Sequence, residues 1–342
     1  MVCSRGCFFL AQRSDPLTTA TFTATSAERQ RLISILAASA WASTVLLILV
    51  GSIVRVTGHG LGCPDWPLCY GRAIPPAYTG AWVEFSHRLV GGIASLQILV
   101  LAALAWRDQR TQRWIVWPAV AAAGLLLVQI LLGGLHVVLE IPPETGLIHT
   151  AVAMLIVGLL AVELVVTSPA LEGLRSSAQH AVSNRPLLSL ISAVAAATYV
   201  LLLTGSYVTR SGASLACLSF PLCGSSAPAA QRLMDIHMLH RFAALAVLVL
   251  SGWAVGQLLA SSSEPALHRY AYLLLTLLVL QSGLGIANVL LLLPMWSRVL
   301  HLSLAAVYWS AVVILWAAAH SSANSSIPPP APVPRPAGSP PP

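Results

Sequence analysis

The sequence predicts an all-α membrane protein with eight transmembrane helices that form two pseudosymmetric four-helix bundles. Its composition, eight long apolar segments and an internal repeat lead to this fold class. Of the 342 residues, 57% are hydrophobic and only 8% are charged. A soluble domain of this size needs far more charge to coat its surface. We therefore expect the chain to use the lipid bilayer as its solvent.

The charge balance does not point to nucleic acid. The formal net charge is +7, and it comes from arginine alone because the chain contains no lysine. A basic stripe or patch would be typical of nucleic-acid binding. Here the arginines stand singly between apolar segments, so we expect no nucleic-acid partner.

Eight segments approach the roughly 20 apolar residues that a helix needs to cross a membrane. They are Leu32–Val54, Leu89–Trp106, Trp114–Val138, Leu147–Val166, Leu187–Val208, Phe242–Ala260, Tyr270–Leu293 and Val299–Ala319. The one acidic residue inside them is Glu163, near the end of the fourth segment. We expect its side chain to reach the membrane interface.

The segments divide the chain into five parts. Residues 1–31 form a polar N-terminal tail without the apolar stretch of a signal peptide. An N-half bundle over 32–168 and a C-half bundle over 187–320 are joined by a cytoplasmic linker at 169–186. The Pro- and Ser-rich residues 321–342 are expected to be disordered.

An internal repeat relates the two halves. Gly51-Ser-Ile-Val54 aligns with Gly205-Ser-Tyr-Val208, and the match continues through the cysteines, two His-Arg pairs and the later histidines. The offset drifts only from 154 to 152 residues. Each unit has four spans, so both insert in the same sense, and a pseudo-twofold axis along the membrane normal is expected.

The repeat selects four of the ten histidines as candidate metal ligands. Each lies roughly one turn inside the outer end of an even-numbered span, so each half offers two imidazoles at similar depth. Such a pair suits the two axial positions of a haem in a helix bundle. A zinc site would instead need three or four converging ligands. The four residues are His87, His149, His240 and His301.

Charged residues near these histidines differ between the halves. Five arginines at the outer ends of the spans are candidate partners for haem propionates: Arg55, Arg88, Arg210, Arg241 and Arg298. Glu84 stands three residues before His87, on the same helical face, whereas His237 occupies that position in the C-half. An acid beside one haem site indicates the reactive site. The alternative is an interfacial carboxylate paired with an arginine.

Two cysteine pairs indicate the orientation of the chain. Cys63 with Cys69, and Cys217 with Cys223, lie after the first and fifth spans. The spacing fits neither C-x-x-C-H haem attachment nor the usual zinc pattern. We expect two intraloop disulfides, with redox-active thiols as the alternative. The numbers of arginines in the loops on the two sides of the membrane are nearly equal, so they hardly indicate the orientation. Since disulfides persist in oxidising compartments, these loops are placed outside and both termini in the cytoplasm.

The chain resembles the haem A synthase family over roughly residues 32–320, in its bacterial subtype with cysteine pairs. The resemblance rests on four motifs: Gly58-His-Gly-Leu-Gly-Cys63-Pro-Asp-Trp-Pro-Leu-Cys69, Glu84-x-x-His87-Arg88, the Gln129/Gly133/His149 segment and its C-half copy ending at His301. It implies a bacterial plasma-membrane enzyme that oxidises the C8 methyl of haem O to a formyl group with water as the oxygen source.

The resemblance also implies roles for individual residues. Glu84 would be the catalytic acid, and His87 with His149 would bind the substrate haem O. A permanent haem b would be held by His240 and His301. A haem O synthase partner and an electron acceptor, which the sequence does not identify, would complete the system. The alternatives are a dihaem b-type electron-transfer protein that oxidises quinol, and a haem exporter or chaperone.

Overall fold

A computed structural model describes residues 16–181, 185–224 and 231–321. Within them it contains nine α-helices and no strand. Eight of the helices are long and apolar enough to cross a membrane, with α1 counted from Ala27, and the fold class is therefore confirmed. The helices are α1 Pro16–Val56, α2 Thr79–Asp108, α3 Arg113–Val138, α4 Pro143–Thr167, α5 Glu172–Ala181, α6 Arg185–Arg210, α7 Gln231–Ser261, α8 Pro265–Leu290 and α9 Met295–His320.

Two helices begin about three turns earlier than hydropathy predicts. α2 begins at Thr79 rather than Leu89, and α7 begins at Gln231 rather than Phe242. The added turns carry Glu84 and His237, whose polar character breaks the apolar pattern. Both side chains are nevertheless buried. The helix can continue there because these polar groups find partners inside the protein.

The parts predicted to be tail and linker contain helix. Residues 16–31 belong to α1, whereas residues 1–15 lie outside the described residues, as does the predicted tail from 322. The linker holds α5, a short amphipathic helix that contacts α8 and α9. Its Leu174 and Ala178 are buried against the C-half. The apolar face of this amphipathic helix thus covers apolar side chains at the end of the C-half bundle.

The eight long helices contact one another as two groups of four. In α1–α4 each helix contacts the next and α1 also contacts α4, and α6–α9 show the same pattern. The groups meet where α4 contacts α9 and α6, and where α1 contacts α9. α4 and α9 are the most buried of the spans. They form the centre of the molecule, while the other helices present apolar side chains outward.

Two indole groups join the halves across this central contact. Trp309 of α9 donates to the Met154 carbonyl of α4 at 2.7 Å, and its ring lies against Gly158. Trp41 of α1 donates to Ser310 Oγ at 2.9 Å. In an apolar surrounding, such bonds satisfy donors that have no water available. They hold the two groups in one orientation.

The expectation for Glu163 is wrong. Its side chain is 0% exposed, and neither carboxylate oxygen has a hydrogen-bond partner among the described residues. Glu163 lies on the central helix α4, whose faces are covered by other helices. The side chain therefore has no route to the membrane interface.

Candidate functional site

Each of the four repeat-related histidines rests against a glycine of the preceding helix. A Cβ at Gly51 or Gly205 would collide with the imidazole, one at Gly285 would be tight against it, and one at Gly133 would make an ordinary van der Waals contact. A Cβ on Gly51, Gly205, Gly285 or Gly133 would lie 2.8, 2.9, 3.3 or 3.5 Å from Cε1 of His87, His240, His301 or His149, respectively. Each ring thus lies in a notch at a glycine, and the notch is tightest at Gly51 and Gly205.

The histidines lie deeper than the sequence predicts. His149 and His301 stand six residues after the first residues of α4 and α9. His87 and His240 stand eight and nine residues after the first residues of α2 and α7. At 3.6 residues per turn, all four lie about two turns inside their helices, not one turn. The difference arises because the helix starts lie further out than expected.

The histidines are arranged in twos. His87 lies within electrostatic range of His149, and His240 within that of His301. The Gln129 amide nitrogen is 3.1 Å from His149 Nε2, and the equivalent Gln281 nitrogen is 3.2 Å from His301 Nδ1. No group of three His, Cys, Asp or Glu converges on one point in the described part of the chain.

Glu84 is buried and tied to the first cysteine loop. Its Oε2 accepts a hydrogen bond from the Cys63 amide at 2.8 Å, and its Oε1 accepts one from Arg88 Nη2 at 2.5 Å. The residue Glu84 is 4% exposed to solvent. The pairing with an arginine is thus present, as one interpretation of the sequence expects. A carboxylate has further lone pairs, so the pairing leaves it able to face a ligand.

Arg88 and Arg241 hold the cysteine loops. Arg88 donates to the carbonyl oxygens of Cys63, Asp65 and Leu68 at 2.6–3.1 Å. Its repeat equivalent, Arg241, binds three carbonyls in the same way, namely those of Cys217, Ser219 and Pro221. Both guanidinium groups thus fasten a loop to its bundle, and their role as propionate partners stays a prediction.

The predicted cysteine pairs form disulfides, Cys63–Cys69 and Cys217–Cys223. The N-half loop packs further into its bundle than the C-half loop does. The Trp66 ring lies against Gly134 of α3, where a Cβ would be 2.8 Å from the ring. The equivalent position in the C-half is Ile286, whose side chain leaves no such notch. The N-half loop is consequently anchored to both α2 and α3.

Asp65 organises the turn within this loop, outside the membrane spans. Its carboxylate accepts hydrogen bonds from the amides of Gly71 and Tyr70 at 2.7 and 2.6 Å. These bonds, chiefly that of Gly71, hold the pKa of Asp65 below its usual value, although desolvation acts in the opposite direction. The positive charge of Arg88 acts in the same direction. The turn is therefore built around an ionised carboxylate.

The remaining arginines lie close together at the meeting of the two halves. Arg55 and Arg210 each have an Nε atom that is buried without a partner among the described residues. The charges of Arg210 and Arg298 both act on Arg55. Arg55 also donates from Nη1 to Thr209 Oγ1 at 3.0 Å. A cationic group thus lies beside the histidine pairs.

Sequence reasoning missed His136, which lies beside the N-half pair. Its ring stacks on that of His149, with centroids 6.3 Å apart, and its Nδ1 is 2.6 Å from Thr145 Oγ1. Comparison of the two halves could have indicated His136, because the repeat places it opposite another polar residue, Asn288. The equivalent residues, Asn288 and Ser297, are also hydrogen bonded, at 2.7 Å. The N-half therefore carries an imidazole where the C-half carries an amide.

Fold and site together define a multi-pass helical membrane protein with two pairs of half-buried histidines at one end of its bundles. The chain belongs to the family of cytochrome oxidase assembly proteins described as COX15-CtaA, which matches residues 34–313.

Several proteins similar to this chain are named heme A synthase. The heme A synthase of Shouchella clausii is 34% identical over 258 residues, which are 72% of this chain and 83% of that protein. The heme A synthase of Halalkalibacterium halodurans is 32% identical over 251 residues, again 72% of this chain and 83% of that protein. That of Bacillus pumilus is 30% identical over 257 residues, with 72% and 81% covered.

Proposed function

We propose that this protein is a haem A synthase, which oxidises the C8 methyl group of haem O to a formyl group for cytochrome oxidase. The four glycine-notched histidines, two in each half, carry the proposal. The chain's membership in the COX15-CtaA family and the heme A synthase names of its relatives support the proposal. No comparison favours a quinol-oxidising electron-transfer protein or a haem exporter.

The residues present fit two axial ligands per haem. Nδ1 of His87 and of His149 is buried with no partner among the described residues, so these rings have coordinating capacity to spare. Gln129 and Gln281 contact ring nitrogens in both halves. A glutamine amide can turn aside when a ligand arrives. Bundle walls of apolar side chains suit the faces of a porphyrin.

We base the proposed roles of the two halves on a difference between them. Glu84 lies three residues before His87. The equivalent His237 has no acidic partner among the described residues, and its Nδ1 lies 3.0 Å from the Ala213 carbonyl oxygen. In this proposal the N-half holds the substrate haem O between His87 and His149. The C-half holds a haem b between His240 and His301. When bound, that haem b supplies a one-electron relay.

The reaction has two oxidations with water as the oxygen source. In the first, the methyl group and one water give a hydroxymethyl group, two protons and two electrons. In the second, another water gives a geminal diol with loss of two more protons and electrons, and the diol releases water to leave the aldehyde. The electrons pass to an acceptor outside this chain. Glu84 would stabilise developing positive charge or accept a proton.

The proposal also includes a cellular location and an orientation in the membrane. The disulfide loops face the oxidising outer side of a bacterial plasma membrane, and both termini face the cytoplasm. A haem O synthase in the same membrane would supply the apolar substrate.

Haem extraction tests the function. The protein is co-expressed with a source of haem O, and its haems are extracted into acidified solvent and separated by chromatography. We expect haem b together with haem A or its alcohol precursor. A protein that carries only haem b, and that leaves haem O unchanged in the membranes, would contradict the proposal and favour electron transfer.

A further inference from the structure

Three guanidinium groups near the histidine pairs lack an acidic partner. Within residues 16–181, 185–224 and 231–321, the ion pairs join Arg29 and Arg107 to Asp108, and Arg88 to Glu84. Arg55, Arg210 and Arg298 are in none of them, although the charges of Arg210 and Arg298 both act on Arg55. Partly buried like charges are costly unless an anion joins them. The group is thus suited to an anionic ligand.

Arg210 crosses from the C-half into the N-half. It is the last residue of α6, yet its guanidinium lies against Gly146 of α4. A Cβ at Gly146 would collide with Nη1, Nε and Cζ of Arg210. Gly146 lies three residues before His149, and the charge of Arg210 acts on both His149 and His136. A cation beside His149 therefore belongs to the other half.

The repeat shows which residue of the C-half corresponds to the position where Arg210 contacts the N-half. Since His149 is equivalent to His301, Gly146 is equivalent to Arg298. The C-half thus has its own arginine three residues before the histidine, on the same face of α9. At that position the N-half has a glycine, and the guanidinium of Arg210 takes the space. Both halves have a cation one turn outward from the later histidine.

Arg55 crosses in the opposite direction. It stands near the end of α1 in the N-half, but it donates to Thr209 of α6. Its charge acts on His301 of α9. Its Nε is buried without a partner among the described residues, as is that of Arg210. Each half therefore extends one arginine toward the histidines of the other.

We propose that each haem site is completed by a propionate-binding arginine from the opposite half. Arg210 serves the haem held by His87 and His149, and Arg55 serves the haem held by His240 and His301. The inference rests on the proposed function, because it requires a haem in each half. Guanidinium groups bind carboxylates through paired, charge-assisted hydrogen bonds. Neither half is a complete haem-binding unit alone, and one cationic group joins the two sites.

Substitution of Arg210 gives the sharpest test, because own-half and opposite-half binding predict loss of different haems. The full-length protein is purified after co-expression with a haem O source, and haem b and non-b haem per protein are measured after extraction. We expect Arg210→Ala to weaken retention of non-b haem about tenfold or more, the effect of one charge-assisted contact, while haem b stays within about twofold. Loss of haem b instead, equal loss of both, or loss of neither overturns the inference.

Gly146→Ala reaches the same contact from the other side. The added methyl displaces the Arg210 guanidinium without removing its charge, so it should mimic Arg210→Ala and spare haem b. In the double variant the methyl enters the vacated space, and the loss should not exceed that of Arg210→Ala alone. Additive losses would mean that Gly146→Ala acts on His149 directly and would count against the crossing. Gly146→Ala alone also tests the contact if Arg210→Ala fails to fold.

The reciprocal variant is Arg55→Ala, read out by the midpoint potential of haem b. Removing a nearby positive charge disfavours the reduced haem, so the potential should fall, while non-b haem is retained. An unchanged potential overturns the reciprocal half of the inference. Arg232→Ala is the matched control, because Arg232 is an exposed arginine of α7. Wild-type protein without haem would instead refute the proposed function itself.

Discussion

Arg55 Nη1 donates a 3.0 Å hydrogen bond to Thr209 Oγ1, and the two residues hold equivalent positions in the two repeats, 154 residues apart. Equivalent positions of two related units meet where the axis that relates them passes. The bond therefore marks the line along which the halves face each other. Arg210, the residue after Thr209, continues from this line to Gly146 in the N-half.

The assignment of the C-half histidines predicts which haem their removal will affect. His240→Ala or His301→Ala should lose haem b, because one of two axial ligands is gone. Haem extraction and low-temperature spectra would measure the loss. His87→Ala is the comparison, and it should spare haem b. A full low-spin haem b spectrum in both C-half variants would reject the assignment.

The glycine notches predict paired effects of a single methyl group. Gly205→Ala should displace His240 and reduce haem b, whereas Gly51→Ala should displace His87 and reduce substrate haem. The added Cβ would lie 2.8–2.9 Å from each ring, closer than van der Waals contact allows. Gly92→Ala is the control, since nothing lies within 4 Å of its Cβ position. Equal haem contents in all three variants would argue against the notches.

Glu84→Gln tests the acid beside His87. Glutamine is nearly isosteric and can still accept the hydrogen bond from the Cys63 amide, but it carries no negative charge. We expect the fold and haem b to persist while the rate of haem A formation falls by about 10²–10⁴. Chromatography should show haem O, with or without the alcohol. Glu84→Asp should be intermediate, and a wild-type yield from Glu84→Gln would make Glu84 structural.

The disulfides predict unequal consequences of reduction. Each closes a short loop and stabilises it by about 2–3 kcal/mol in the chain-entropy model. The Cys63–Cys69 loop also contacts Glu84 and Gly134, so Cys69→Ser should impair haem A formation more than Cys223→Ser. Mass spectrometry of non-reduced peptides would show both bonds in the wild type. Four alkylatable thiols would contradict this prediction.

Asp65 predicts loss of stability of the N-half loop in acid. Its pKa in the folded protein is below the unfolded value because the Gly71 and Tyr70 amides bind the carboxylate. A depressed pKa contributes stability that is complete above the unfolded value near 4 and disappears as pH falls through the folded pKa. The thermal midpoint of the wild type should exceed that of Asp65→Asn above about pH 4 and converge with it at lower pH. A pH-independent difference would exclude the carboxylate as the cause.

Sequence alone was sufficient for the features that polarity and spacing encode. Eight apolar segments, the repeat, the four histidines and the cysteine pairs follow from local patterns, because the bilayer and the short loops constrain them directly. The same patterns misplaced the starts of α2 and α7, where Glu84 and His237 interrupt the hydropathy. Polar residues look like helix ends in a hydropathy profile, although buried partners let a helix continue.

The tertiary structure decided which groups meet. Arg88 and Arg241 bind carbonyls of the cysteine loops, and Glu163 is enclosed because α4 lies at the centre. The sequence suggested no reason to connect Arg210 with Gly146. Their contact exists because two similar bundles meet along α4 and α6. A repeat in the sequence shows that two halves are alike, but only their packing determines which side chains cross between them.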